Sequence, residues 1–110
     1  MASFETFMEL EMRVGTVLEA EPFPEARKPA IKLLVDFGPE LGHRRSSAQL
    51  TRRYVPADLV GRQVVAAVNL GTRRIAGFTS EVLVLGGTPE EGDVVLLQPD
   101  APVPNGTRIA

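Results

Sequence analysis

The chain has 110 residues, no cysteine, one histidine and a net charge of −2. That length holds one domain with a real core and is short for two. Without cysteine there are no disulfides, no thiolate catalysis and none of the common structural zinc sites, which fits a reducing compartment. Ser3 caps a short helix over residues 4–9, with Phe4, Phe7 and Met8 on one face at i, i+3 and i+4. The acidic start, MASFETFMELE, has no long apolar core and does not read as a signal peptide. Residues 13–20 (RVGTVLEA) alternate and are β-rich, with Gly15 allowing a bend or close packing. Residues 21–30 hold three prolines and form a loop. A second strand covers 31–37 and ends at Gly38-Pro39, and a third runs over about 43–49. Thr51 caps a helical turn, and a second turn opens at Pro56 and stops at Gly61. A fourth strand follows at 63–69, a long loop at 70–80, and strands at 81–85 and 93–98. The tail is rich in turn signals, among them Asn105-Gly106.

Many short strands with one small helix between the third and fourth predict an all-β chain. The pattern fits an OB-fold, a five-stranded Greek-key barrel. It carries a short N-terminal helix and an extra C-terminal strand segment, and residues 1–110 read as one such domain. The apolar runs are far too short to cross a bilayer. The expectation is a cytoplasmic protein without membrane insertion.

Charge is unevenly placed. Residues 1–25 hold six acids and one base, 26–80 hold ten bases and three acids, and 81–110 hold five acids and one base. OB-folds bind on the face of strands 2–3 and on the loops joining strands 1–2 and 4–5. Those elements carry Arg27 and Lys28, Lys32, Arg44 and Arg45, and Arg73 and Arg74. Seven of the ten central bases thus border one expected cleft, while Arg52, Arg53 and Arg62 lie at one end of the barrel. Alternation along strand 3 lets only one of Arg44 and Arg45 face that cleft. Arginine suits phosphate because its planar fork donates two parallel hydrogen bonds. Ser46, Ser47 and Gln49 either add neutral hydrogen bonds to a nucleic-acid backbone or simply face solvent.

With one tyrosine and five phenylalanines, stacking platforms for a single strand are few. A face with bases and few rings suits folded RNA held by backbone and shape. Phe23, Pro24, Ile75 and Phe78 are candidates for an exposed apolar patch, or they plug the barrel end. No enzyme signature is present. His43 has no second histidine or cysteine to share a metal, and Ser46 and Ser47 have no oriented acid. The acidic GGTPEEG is a turn rather than a phosphate loop, and nothing points to a cofactor.

Several stretches resemble the tRNA-binding domain family, found alone or appended to aminoacyl-tRNA synthetases: LEMRVGTVLEAE at 10–21 and VNLGTRRIAGFTSEVLVLGG at 68–87. FPEARKPAIKLLVDFG, SSAQLTRRY, RRIAGFTSEVLVLG and GDVVLLQPDAPVPNGTRIA look like its CsaA branch, small free-standing export-related chaperones. Two departures from the broader family favour that branch. The loop reads Phe23-Pro24-Glu25-Ala26-Arg27-Lys28-Pro29 where the family tends to His-Pro-x-Ala-Asp-Lys-Leu, and Ser80-Glu81-Val82-Leu83 replaces Ser-Glu-Gly-Met. The resemblance implies a non-enzymatic homodimer that holds unfolded or pre-export polypeptides and meets the export motor; the alternative is a tRNA-binding module. It also implies an interface from the N-terminal helix and the C-terminal segment: Phe4, Phe7, Met8, Val103 and Ile109. The apolar stripe on that helix fits an interface, or packs on its own barrel.

Overall fold

The computed structural model describes residues Met1–Ala110. In chain order the elements are α1 (Phe4–Glu9), β1 (Met12–Pro22), β2 (Ile31–Asp36), α2 (Gly38–Leu41), β3 (His43–Ala48), a 3₁₀ turn (Pro56–Asp58), β4 (Gln63–Ala67), β5 (Arg73–Ile75), β6 (Phe78–Ser80), β7 (Leu83–Val84), β8 (Gly86–Glu90) and β9 (Asp93–Leu96). Ser3 caps α1 as expected, its Oγ accepting from Thr6 N at 3.1 Å.

An antiparallel sheet in the order β3-β2-β1-β4-β7 makes a nearly closed OB-like barrel. β1 reaches both sides of it. Its first half pairs with β4 and its second half with β2. The change of partner is accompanied by a β-bulge between Val17 and Glu19, which leaves Leu18 outside the register. Gly15 answers to packing, since a Cβ there would stand 2.6 Å from Val35 Cγ1 and 2.8 Å from the Phe37 ring. The segment 80–82 sews the last seam. Glu81 N donates to Arg45 O at 2.7 Å, Ser47 N to Ser80 Oγ at 3.0 Å and Ser46 Oγ to Val82 O at 3.0 Å.

Alternation sets two cores. Ile31, Leu33 and Val35 of β2 point inward with Phe37, Leu59 and Val64. On the other face of β1 and β4, Met12, Val14, Val65 and Ala67 form a second cluster, against which Leu10, Leu85, Val103 and Ile109 pack. The C-terminal segment runs along β1: Gly106 N donates to Val14 O at 2.7 Å and Ile109 N to Met12 O at 2.9 Å. The extra strand segment is present there as one bridge, Arg13 with Arg108.

Four local expectations are corrected. The segment 70–80 is no plain loop, because β5 and β6 make a hairpin whose two-residue turn is Ala76 (φ 46°) and Gly77 (φ 83°). Ala-Gly lacks the Asn-Gly signature of such turns, which hid it. The GGTPEEG stretch is mostly strand β8, and only Glu91-Gly92 turns. The strand at 81–85 shrinks to Leu83–Val84, because Glu81 and Val82 serve the seam. Gly38-Pro39 opens a one-turn helix rather than only ending β2.

The hairpin β8–β9 lies outside the barrel sheet and is clipped to the turn before the 3₁₀ segment. Arg53 grips buried Asp93 with two hydrogen bonds, Nε–Oδ1 at 2.5 Å and Nη2–Oδ2 at 2.9 Å. Arg52 Nη2 meets Glu90 Oε1 at 2.8 Å, and Leu96 N donates to Tyr54 Oη at 3.1 Å. The hydrogen bond from Arg53 holds the Asp93 carboxyl below its ordinary range, against the opposing pull of desolvation. In the unfolded chain that carboxyl titrates at about pH 4. The stabilisation is therefore complete above that pH and is lost as pH falls through the lower, folded value. Arg53→Met removes the largest cause of the depression. The acid-unfolding midpoint, followed by circular dichroism, is expected to move to higher pH; an unmoved midpoint contradicts the clip.

Candidate ligand-binding grooves

Two neighbouring grooves replace the single cleft expected from the sequence. The first, of about 730 Å³, lies between the loop at 25–28 and the hairpin at 73–76. Arg27 and Lys28 come from one wall, Arg73 and Arg74 from the other, and Glu25 is the one acid among the lining residues. None of the four cations has a carboxylate within 4.0 Å. Arg74 Nη1 donates to Thr79 Oγ1 at 2.7 Å, which steadies it along its own hairpin. Between the walls Ser47, Gln49 and Leu50 line the groove together with Ile75, Leu83, Val84 and Val94. The site thus pairs cations with aliphatic surface.

The second groove, of about 650 Å³, lies on the outer face of β1, β2 and β3. Register brings Glu19, Leu34 and Arg45 into one row, and Glu21, Lys32 and Ser47 into the next. Leu18, Val60 and Phe78 complete its apolar part. With two acids beside two bases, this face is close to neutral. Lys32 Nζ lies 4.6 Å from the Phe23 ring centroid, 5.2 Å from that of Phe78 and 3.9 Å from Glu21 Oε1. These are cation–π distances. The ammonium occupies ring faces that a nucleobase would need for stacking.

Of the seven expected cleft bases, Arg27, Lys28, Arg73 and Arg74 meet in the first groove, and Lys32 and Arg45 line the second. Arg44 joins neither. The alternation of β3 turns it the other way, and its Nε donates to Leu41 O at 3.0 Å. Ser46 is also removed from the candidate set, since it is buried and bonded to Val82 O. Of the apolar candidates, Phe23 is 2 % exposed and belongs to the interior, packed edge-on against half-buried Phe78. Pro24 is exposed, and Ile75 lines the basic groove. Arg52 and Arg53 serve the β8–β9 clip, and Arg62 lies over the Tyr54 ring at 5.3 Å. Leu83, Val84 and Val94 were not singled out from sequence. The strand pattern marked them as apolar, but only the pairing of elements puts them beside the arginines.

On α1 no side chain is buried. Phe4, Phe7 and Met8 are 75, 38 and 42 % exposed. The helix is tethered by polar contacts instead: Asn69 Nδ2 donates to Glu9 O at 2.8 Å, and Arg108 Nη2 to Met8 O at 3.2 Å. None of the three joins either core cluster, and Phe4 is the most exposed of them. Val103 and Ile109 are half-buried on the second core cluster.

Residues 12–108 match the family described as "Putative tRNA binding domain". The chain belongs to this tRNA-binding domain family. Other members carry the domain inside larger proteins. The Methionine--tRNA ligase of Methanothrix thermoacetophila is 42% identical over 106 residues, 96% of this chain and 15% of that protein. The corresponding ligase of Porphyromonas gingivalis is 36% identical over 107 residues, 97% of this chain and again 15% of the enzyme. This tRNA-binding domain thus spans about 15% of the length of those curated relatives. Among solved structures it is similar to the chaperone CsaA of Bacillus anthracis, with 63% identity, a TM-score of 0.95 and coverage of 100% of this chain and 99% of that one. It is also similar to the CsaA chaperone protein of Picrophilus torridus, with 40% identity, a TM-score of 0.92 and full coverage of both chains. It is, in coarse terms, a CsaA-like module of the tRNA-binding family. No helix is long and apolar enough to cross a membrane.

Proposed function

We propose that this chain is a non-enzymatic, homodimeric, cytoplasmic binding protein that holds unfolded or pre-export polypeptides, with residues 1–110 acting as one domain. The observation that carries this reading is the composition of the first groove, where Ile75, Leu83, Val84 and Val94 lie among four cations that have no acidic partner. An extended polypeptide offers both kinds of group, apolar side chains for the aliphatic surface and carbonyls or carboxylates for the guanidinium groups. Whole-chain similarity to solved CsaA chaperones supports the same assignment. A second reading rests on those cations alone: the groove grips the backbone of folded RNA, with tRNA as the ligand that the family description suggests.

Salt separates the two. If the four groove cations each meet a phosphate, tRNA affinity falls about 150-fold between roughly 50 and 200 mM salt. Capture of a permanently unfolded, reduced and alkylated protein rests on apolar burial and changes little over the same range. The measurement is a fluorescence titration of both probes at both salt concentrations. Client binding that collapses with salt alongside tRNA would remove the aliphatic surface from the account, and undetectable client binding at either salt would sink the first reading.

A further inference from the structure

Lys32 was expected among the ligand-binding cations, and its geometry suits a different task. We infer that Lys32 is a positioning residue: by lying over Phe23 and Phe78 at once, its ammonium holds the two walls of the basic groove at their working separation. The inference rests on the groove assignment above.

Neither wall is anchored to the barrel by its own backbone. Residues 73–79 make no backbone hydrogen bond outside the β5–β6 hairpin, which forms a separate two-stranded sheet. Residues 24–29 make a single backbone hydrogen bond, Ala26 N to Phe23 O at 3.3 Å, and the loop is closed at its root where Phe23 N donates to Ala30 O at 3.1 Å. Left to their roots, both walls would swing. What joins them is side chain. Phe23 stands at the root of the first wall, and Phe78 lies opposite Ile75 in the second. Their rings meet edge to face, with centroids 5.4 Å apart and planes at 62°. Lys32 comes from β2, part of the rigid barrel, and its Nζ addresses both rings, at 4.6 and 5.2 Å. One cation on a barrel strand therefore addresses the root of one wall and the hairpin of the other at once.

Its own surroundings leave it little for a ligand. The side chain is 27% exposed, and Glu21 Oε1 lies 3.9 Å from its nitrogen. It lines the near-neutral outer groove rather than the basic one. A methionine of similar length would still fill the space, but it carries no charge for the ring quadrupoles to attract. The closed arrangement would then be a smaller fraction of the population, and apparent affinity falls with that fraction.

The absence of cysteine makes the test direct. Spin labels on an Ala26→Cys/Ala76→Cys chain report the separation of the two groove walls without any ligand. In Lys32→Met the distance distribution should broaden and move outward, and in Lys32→Arg, which keeps a cation over the rings, it should return. With tRNA as probe, Lys32→Met should weaken binding about fivefold, the worth of two partly exposed cation–π contacts. The slope of log affinity against log salt should stay as in the parent chain, since no phosphate contact is lost. An unchanged distance distribution, or unchanged tRNA affinity despite a broader one, overturns the inference. So does a slope reduced by about 0.9, which would make Lys32 a phosphate contact. If the parent chain binds neither tRNA nor unfolded polypeptide while the distances respond, the groove assignment fails and the clamp stands. Lys32→Gln serves the same comparison if Lys32→Met does not fold.

Discussion

Reversing the charge at Arg73 and Arg74 together, as Arg73→Glu/Arg74→Glu, is expected to weaken tRNA binding by a hundredfold or more, because each charge-assisted hydrogen bond lost is worth about 1.5–3 kcal/mol. Both side chains line the basic groove and neither has an acidic partner, so their charge is available to a ligand. The salt slope should fall by about 1.8, two contacts' worth of released counterions. Folding should be spared. Both residues are exposed, and the hairpin is closed by pairing of Arg73 with Ser80 and Ile75 with Phe78. Binding of an unfolded polypeptide should fall far less than that of tRNA, since Arg27, Lys28 and the aliphatic Ile75, Leu83, Val84 and Val94 are untouched. The readout is filter binding of tRNA beside fluorescence anisotropy of the unfolded probe. Full tRNA affinity in the double variant would show that RNA is bound elsewhere, and the groove would lose its electrostatic role.

The second large effect concerns assembly. Phe4, Phe7 and Met8 sit on a helix none of whose residues is buried, at 75, 38 and 42 % exposure. A six-residue helix is far too short to persist on its own, and it is tethered here through Asn69 and Arg108. Phe4, largely exposed, and the partly exposed Phe7 and Met8 form an apolar patch of the kind that marks an interface. In the proposed homodimer the C-terminal segment adds to this surface through Val103 and Ile109. Phe4→Glu/Phe7→Glu is expected to weaken the dimer by more than a hundredfold. Burial of each phenylalanine contributes about 1.5–3 kcal/mol, and a buried unpaired carboxylate costs more. Sedimentation equilibrium should then report 11.9 kDa in place of twice that mass. Thermal melting of the monomer should change little, because neither core cluster contains these side chains. A parent chain that sediments at 11.9 kDa at all concentrations would end the dimer proposal.

Much of the architecture was legible in the chain itself. The β-rich run Ile31–Asp36, ended by Gly38-Pro39, marks the strand, while the apolar Leu34 leaves its inner face to be fixed by the fold. Ser3 before Phe4 places the helix, and proline and glycine mark the breaks. The site was legible only in part. The walls of the basic groove fall on the two loops that the fold class singles out. Three similar-looking cations nonetheless went to other tasks. Arg44 turned to the Leu41 carbonyl, Arg53 to Asp93, and Lys32 to two aromatic rings.

The reason is one of range. Periodicity, caps and turn residues act between neighbours a few positions apart, so the sequence by itself determined the first four barrel strands, the helix, the basic middle segment and the family, but not the hairpin at 73–80 or the strand at 86–90. The fate of a charge depends on partners far along the chain. Arg53 and Asp93 are 40 positions apart, and Arg52 meets Glu90 across 38. Local pattern carries no record of such meetings. Only the tertiary structure decided which guanidinium groups were neutralised inside the fold and which stayed free to face a ligand.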